Sequence, residues 1–93
     1  IMLNIDLMRE KPLRGPLKSD DADELQKVLK EAGVKNPTYW NFNSQLMYFI
    51  NPENLIVVYD CRYHLDYITF EDLFVENYED CQFESELMAL LGG

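Results

Sequence analysis

The sequence predicts a single α+β domain spanning residues 1–93: an N-terminal strand, a helix, an antiparallel three-stranded meander and one or two acidic C-terminal helices. Three observations carry that prediction. Residues 45–60, QLMYFINPENLIVVYD, place two β-rich runs on either side of a turn signature. Two other segments repeat apolar residues at helical spacing behind capping residues. The chain is 93 residues long, 47% hydrophobic and 13% aromatic, which is enough for one small core and too apolar for a disordered acidic tail.

The elements follow in chain order. In residues 2–8, MLNIDLM, Leu3, Ile5 and Leu7 alternate with Asn4 and Asp6, which predicts a first strand. The segment after it, REKPLRGPLKS, holds Pro12, Gly15 and Pro16 and four of the chain's eight basic residues; it reads as a basic, turn-rich loop without strand or helix. Residues 21–32 predict a helix, with Asp21 as cap and Glu24 as its box partner. Ala22, Leu25, Val28, Leu29 and Ala32 form its apolar face, and Gly33 is its stop. Residues 34–44 form a connector, anchored on the core by Tyr39, Trp40 and Phe42.

In the hairpin, Asn51-Pro52-Glu53-Asn54 fits a type I turn followed by a left-handed residue. Pro52 sets the first corner and Asn54 takes the position usually given to Gly. That register pairs Ile50 with Ile56 and Phe49 with Val57. One face then holds Leu46, Tyr48, Ile50, Ile56 and Val58, and the other Met47, Phe49, Leu55, Val57 and Tyr59. Both faces are apolar, so the second needs cover, from the C-terminal helices or from another copy of the chain. Met47, Phe49, Val57 and Tyr59 are therefore a candidate second interface. A turn at 60–63 and a strand at 64–68 complete the meander. Thr69-Phe70-Glu71-Asp72 is a capping box, and Phe70, Leu73, Phe74, Tyr78 and Cys81 predict an amphipathic helix over 70–81. A last helix is expected over 85–91, capped by Ser85.

Charge is distributed unevenly. Residues 1–35 hold seven basic and seven acidic side chains, whereas residues 36–93 hold ten acids and only Arg62 against them, for a net charge of −9. Six of those acids, Glu71, Asp72, Glu76, Glu79, Asp80 and Glu84, fall within 67–84 without a Lys or Arg between them. On a helix over 70–81, Asp72, Glu76 and Asp80 would form a column of like charge, each pair destabilising by roughly 0.2–0.5 kcal/mol. Carboxylates on such a face repeat every roughly 6–11 Å, on the order of phosphate spacing along a nucleic-acid strand. In length, charge asymmetry and the lysine-free segment 63–93 the chain resembles, at the level of class, the small acidic phage-encoded proteins that inhibit host defence nucleases by nucleic-acid mimicry, of the anti-restriction and anti-CRISPR type. That resemblance implies a non-enzymatic inhibitor whose acidic face docks into a basic site, that of a nuclease or other nucleic-acid-binding protein, in the host-cell cytoplasm. The bland alternative is a solvated face that only keeps the chain soluble. The alternative from another class is a structural or assembly protein that self-associates, as a homodimer in the simplest case, through the apolar hairpin face.

Other chemistries find little support. His64 is the only histidine, and in a strand it would point away from Cys61. Asp20, Asp21, Asp23 and Glu24 lack the glycine and alternating ligands of a calcium loop. Two Cys and one His lack zinc spacing, and there is no Gly-rich phosphate loop, so no metal, cofactor or catalytic residue is expected. An acidic surface repels nucleic acid and anionic lipid, so neither is an expected partner. The N-terminus shows no export signal and no apolar run reaches the ~20 residues of a bilayer span; a cytoplasmic protein with reduced cysteines is the expectation.

Overall fold

The computed structural model describes residues 2–36, 41–75 and 88–92. Its centre is a three-stranded antiparallel sheet in the order β1 (Leu13–Arg14), β2 (Leu46–Ile50), β3 (Ile56–Asp60), packed on one helix, α1 (Ser19–Glu31). The fold is α+β, with a further helical segment at 88–92.

The hairpin forms in the expected register. Ile50 pairs with Ile56 and Phe49 with Val57. Asn54 has φ 63°, and its N–H donates to the Asn51 carbonyl at 2.9 Å. The Asn51 side-chain oxygen accepts from the N–H groups of Glu53 and Leu55, both at 3.0 Å, so the turn is held by a side chain as well as by its backbone.

α1 buries Ala22, Leu25 and Leu29 against the sheet, as its spacing predicts, while Ala32 is exposed at its end. It starts two residues earlier than the expected Asp21 cap. Lys18 is the N-cap, no side chain caps the first turn, and Asp20 and Asp21 lie within that turn, where the helix dipole favours them. The C-terminus closes as a Schellman motif: Gly33 has φ 73°, its N–H donates to Lys30 O at 3.0 Å, and Val34 N–H donates to Leu29 O at 3.0 Å. The next residue is stitched to the hairpin tip. Lys35 N–H donates to Asn54 O and Ile56 N–H to Lys35 O, both at 2.8 Å.

Three segments differ from the sequence expectation. Residues 2–8 are not a strand. Leu3 makes one antiparallel bridge, to Phe74, and the chain then coils into a 3-10 helix at Ile5–Arg9, with the Asn4 side chain accepting from Asp6 N–H at 3.2 Å. The buried residues are Ile5 and Met8, three apart, which a 3-10 turn places on one face and a strand would place on opposite faces. The third strand of the sheet comes from the turn-rich loop. Leu13 pairs with Tyr48 and Arg14 with Met47, a two-residue strand too short for a propensity pattern to reveal. Residues 64–68 are not the third strand; Ile68 alone pairs, in parallel, with Leu13, through Ile68 N–H to Pro12 O at 2.8 Å and Arg14 N–H to Ile68 O at 2.9 Å. Single-residue bridges thus meet both outer strands, Ile68 beside β1 and Lys35 beside the start of β3.

The core lies on one face of the sheet. Leu13, Tyr48, Ile50 and Ile56 meet Leu25 and Leu29 of α1, with Met8, Leu17, Phe42, Phe70 and Leu73 filling the remainder. Phe42 is the connector anchor the sequence predicts. It stands edge-on to Tyr48 with ring centroids 4.6 Å apart, and Tyr48 Oη donates to the Asn41 carbonyl. Tyr39 and Trp40 lie outside the described residues. The chain at 15–17 runs close against 42–46, with Gly15 N–H donating to Leu46 O at 2.9 Å and Leu17 N–H to Phe42 O at 2.8 Å. Gly15 is required there, because a Cβ would collide with the Ser44 carbonyl oxygen.

Candidate functional site

The acidic segment begins as the sequence predicts and then departs from it. Thr69 caps a short turn, and its N–H and hydroxyl both donate to Asp72 Oδ2, at 2.8 and 3.1 Å. That is the expected capping box. The turn is a 3-10 helix, Phe70–Leu73, and it ends at Phe74, whose φ −65° and ψ 134° are extended. A continuous helix over 70–81 is therefore not formed.

The N-terminal segment is the cause. Asn4 N–H donates to Leu73 O at 2.7 Å and Val75 N–H to Met2 O at 3.2 Å, so residues 73–75 are drawn into a ladder with 2–4 instead of a second helical turn. Phe70 and Leu73 are buried beneath it, and the Phe70 and Phe74 rings form a T-shaped pair with centroids 5.5 Å apart. Glu71 and Asp72 are exposed, and neither is ion-paired among the described residues. Glu76, Glu79, Asp80 and Glu84 lie outside the described residues, as does the expected Ser85 cap. In the helical segment at 88–92, Met88, Leu90 and Leu91 are all exposed.

The second predicted surface, Met47, Phe49, Val57 and Tyr59, is the outer face of the sheet. Among the described residues it is partly covered, and no described helix lies over it. The chain turns at Cys61–Tyr63, where the Asp60 side chain accepts from Arg62 N–H at 3.0 Å, and His64 follows with φ 52°. Residues 64–67 then line cavities shared with Met47, Phe49 and Tyr59 before the chain reaches Ile68. Met47 is buried to 2% exposure, while Phe49, Val57 and Tyr59 stay half-buried.

Two neighbouring cavities open here, of about 460 and 410 Å³. Arg14, Met47, Cys61 and His64 line the first, Pro12, Phe49 and Tyr59 the second, and Lys11, Leu65 and Asp66 both. The sequence reading missed this assembly because it placed 64–68 in the sheet and left the basic loop unstructured. It also set Cys61 and His64 apart on opposite sides of a strand, yet they line one cavity. The Cys61 thiol is directed elsewhere, donating to Gln45 O at 3.4 Å. Among the described residues no group of three His, Cys, Asp or Glu side chains is placed to hold a metal ion, and no helix is long and apolar enough to cross a membrane.

Comparison with protein-family models, with curated proteins and with solved structures gives no match.

Proposed function

We propose that this chain is a non-enzymatic binding protein that engages a basic surface of a partner protein through its acid-rich C-terminal half, and that the partner's surface is one that otherwise holds nucleic acid. The observation that carries the reading is the charge partition: ten acids against a single arginine in residues 36–93. Exposed Glu71 and Asp72, without ion-pair partners among the described residues, are consistent with it. The reading rests on charge density and not on helical spacing, since the turn that bears Glu71 and Asp72 ends at Phe74. Carboxylates clustered without intervening cations gain Coulomb energy and release counterions when they meet Lys and Arg side chains, as phosphates do.

The experiment is capture of a partner at low ionic strength, followed by measurement of its affinity, once purified, across a salt series. Affinity should fall steeply as the Debye length contracts from about 10 Å at 0.1 M to about 3 Å at 1 M. Reversing Glu71, Glu76 and Glu79 to Lys should abolish it. If the acids serve solubility alone, that triple variant binds as well as the parent and only its solubility changes.

A further inference from the structure

The two cavities on the outer sheet face are unlike the rest of the molecule. The chain has eight basic residues against seventeen acidic ones, yet Lys11 and Arg14 both face the first cavity, and neither is ion-paired among the described residues. Arg14 is held in place: its backbone is fixed by pairing with Met47 and by the bond to Ile68 O, and its guanidinium lies 4.9 Å from the centre of the Tyr67 ring. The opposing charges are Asp66, which lines both cavities, and Glu10, which lines only the second. The first cavity is thus the cationic end and the second the apolar end.

Exposed apolar side chains gather at the same place. Tyr63 is 60% exposed, Tyr67 46% and Leu65 41%, all on the segment that borders the groove. His64 keeps a left-handed backbone with φ 52°, a conformation Gly would hold at lower cost, and its side chain lines the cationic cavity. Both cavities are open clefts, with volumes inside the range of small-ligand pockets, about 300–1,000 Å³.

We infer that this groove is a binding site for a small organic anion with an aromatic body. Its acidic group would meet Lys11 and Arg14, and its ring would lie over Met47 toward Phe49 and Tyr59. Charge complementarity favours this orientation, because Arg14 lines only the first cavity and Glu10 only the second. The inference is independent of the acid-rich C-terminal surface and survives its failure.

The test uses the full, isotope-labelled chain and two matched probes, indole-3-acetate and its neutral amide, followed by amide chemical shifts. Indole-3-acetate should give saturable shifts at Arg14, Met47 and residues 64–67, and the neutral amide should bind about tenfold more weakly or worse, as expected for a lost charged hydrogen bond. Arg14→Gln should weaken indole-3-acetate by about the same factor, with its remaining spectrum unchanged. Arg62→Gln, which removes a cation outside both cavities, should leave binding as it was. Equal binding of the two probes, shifts that map to another face, no saturable shift, or an Arg14→Gln variant that binds like the parent would each overturn the inference.

Discussion

The Asn4 backbone N–H donates to the Leu73 carbonyl oxygen at 2.7 Å, joining residues sixty-nine positions apart. This bond closes the N-terminal segment onto the start of the acidic segment, where the turn Phe70–Leu73 stops. Asn4 acts twice, since its side chain also caps the turn Ile5–Arg9. Asn4→Ala should remove only the cap and cost about 1 kcal/mol. Asn4→Pro also removes the donor, leaving the carbonyl of buried Leu73 unpaired at a further cost of about 1–3 kcal/mol. Urea unfolding of both variants measures the difference, and equal losses would show that the long-range bond contributes nothing.

Gly33 should resist substitution for its backbone alone. Its φ is 73°, and a Cβ there would meet nothing within 4 Å. Gly33→Ala should therefore destabilise by about 1 kcal/mol and Gly33→Asn by less, because Asn tolerates the left-handed region. Thermal melts of the pair separate backbone conformation from packing.

At Gly15 the reason is steric. A Cβ would strike the Ser44 carbonyl oxygen, a backbone atom that cannot swing aside as a side chain would. Gly15→Ala should cost about 1–3 kcal/mol through displacement of the chain at 42–46, visible as a lowered denaturation midpoint and as changed amide shifts at Phe42 and Ser44.

Asn54 is subtler than its dihedral angle suggests. Gly would relieve the positive φ, but the Asn54 side-chain amide also donates to Gly33 O at 3.1 Å, tying the hairpin tip to the end of α1. The two effects oppose each other, so Asn54→Gly should change stability by less than about 1 kcal/mol, whereas Asn54→Val loses on both counts and should be clearly destabilised. Chemical denaturation of the two variants provides the check.

These contrasts show which parts of the fold are legible in the sequence. The hairpin is: its register follows from the Asn51 to Asn54 turn and needs only neighbouring residues. The end of α1 is legible for the same reason, through Gly33. What escaped were elements fixed by distant partners. Residues 2–8 looked like a strand, and 70–81 like a helix, until the pairing of 2–4 with 73–75 decided both. Leu13 and Arg14 became a strand because β2 offered an edge, not because a two-residue stretch of a proline-rich loop favours one. The acid-rich segment is visible in composition, but the groove around Arg14 is not, since it depends on where residues 64–67 are laid.

Asp72 carries a structural role that Glu71 does not. It accepts two hydrogen bonds from Thr69, so Asp72→Lys should destabilise the turn by about 1 kcal/mol through loss of the cap. Glu71→Lys, with no such bond to lose, should leave folding intact. Circular dichroism melts of the two single variants would establish this, and they determine that charge reversal for binding studies belongs at Glu71.

Displacement of nucleic acid is the most direct measurement of the proposed function. A captured and purified partner, loaded with labelled nucleic acid, is titrated with this protein at low ionic strength while anisotropy reports the bound fraction. The account predicts that the label is released in proportion to added protein, that release is lost as salt rises, and that the Glu71, Glu76 and Glu79 to Lys variant releases none. A partner that binds this protein and keeps its nucleic acid undisturbed would contradict it.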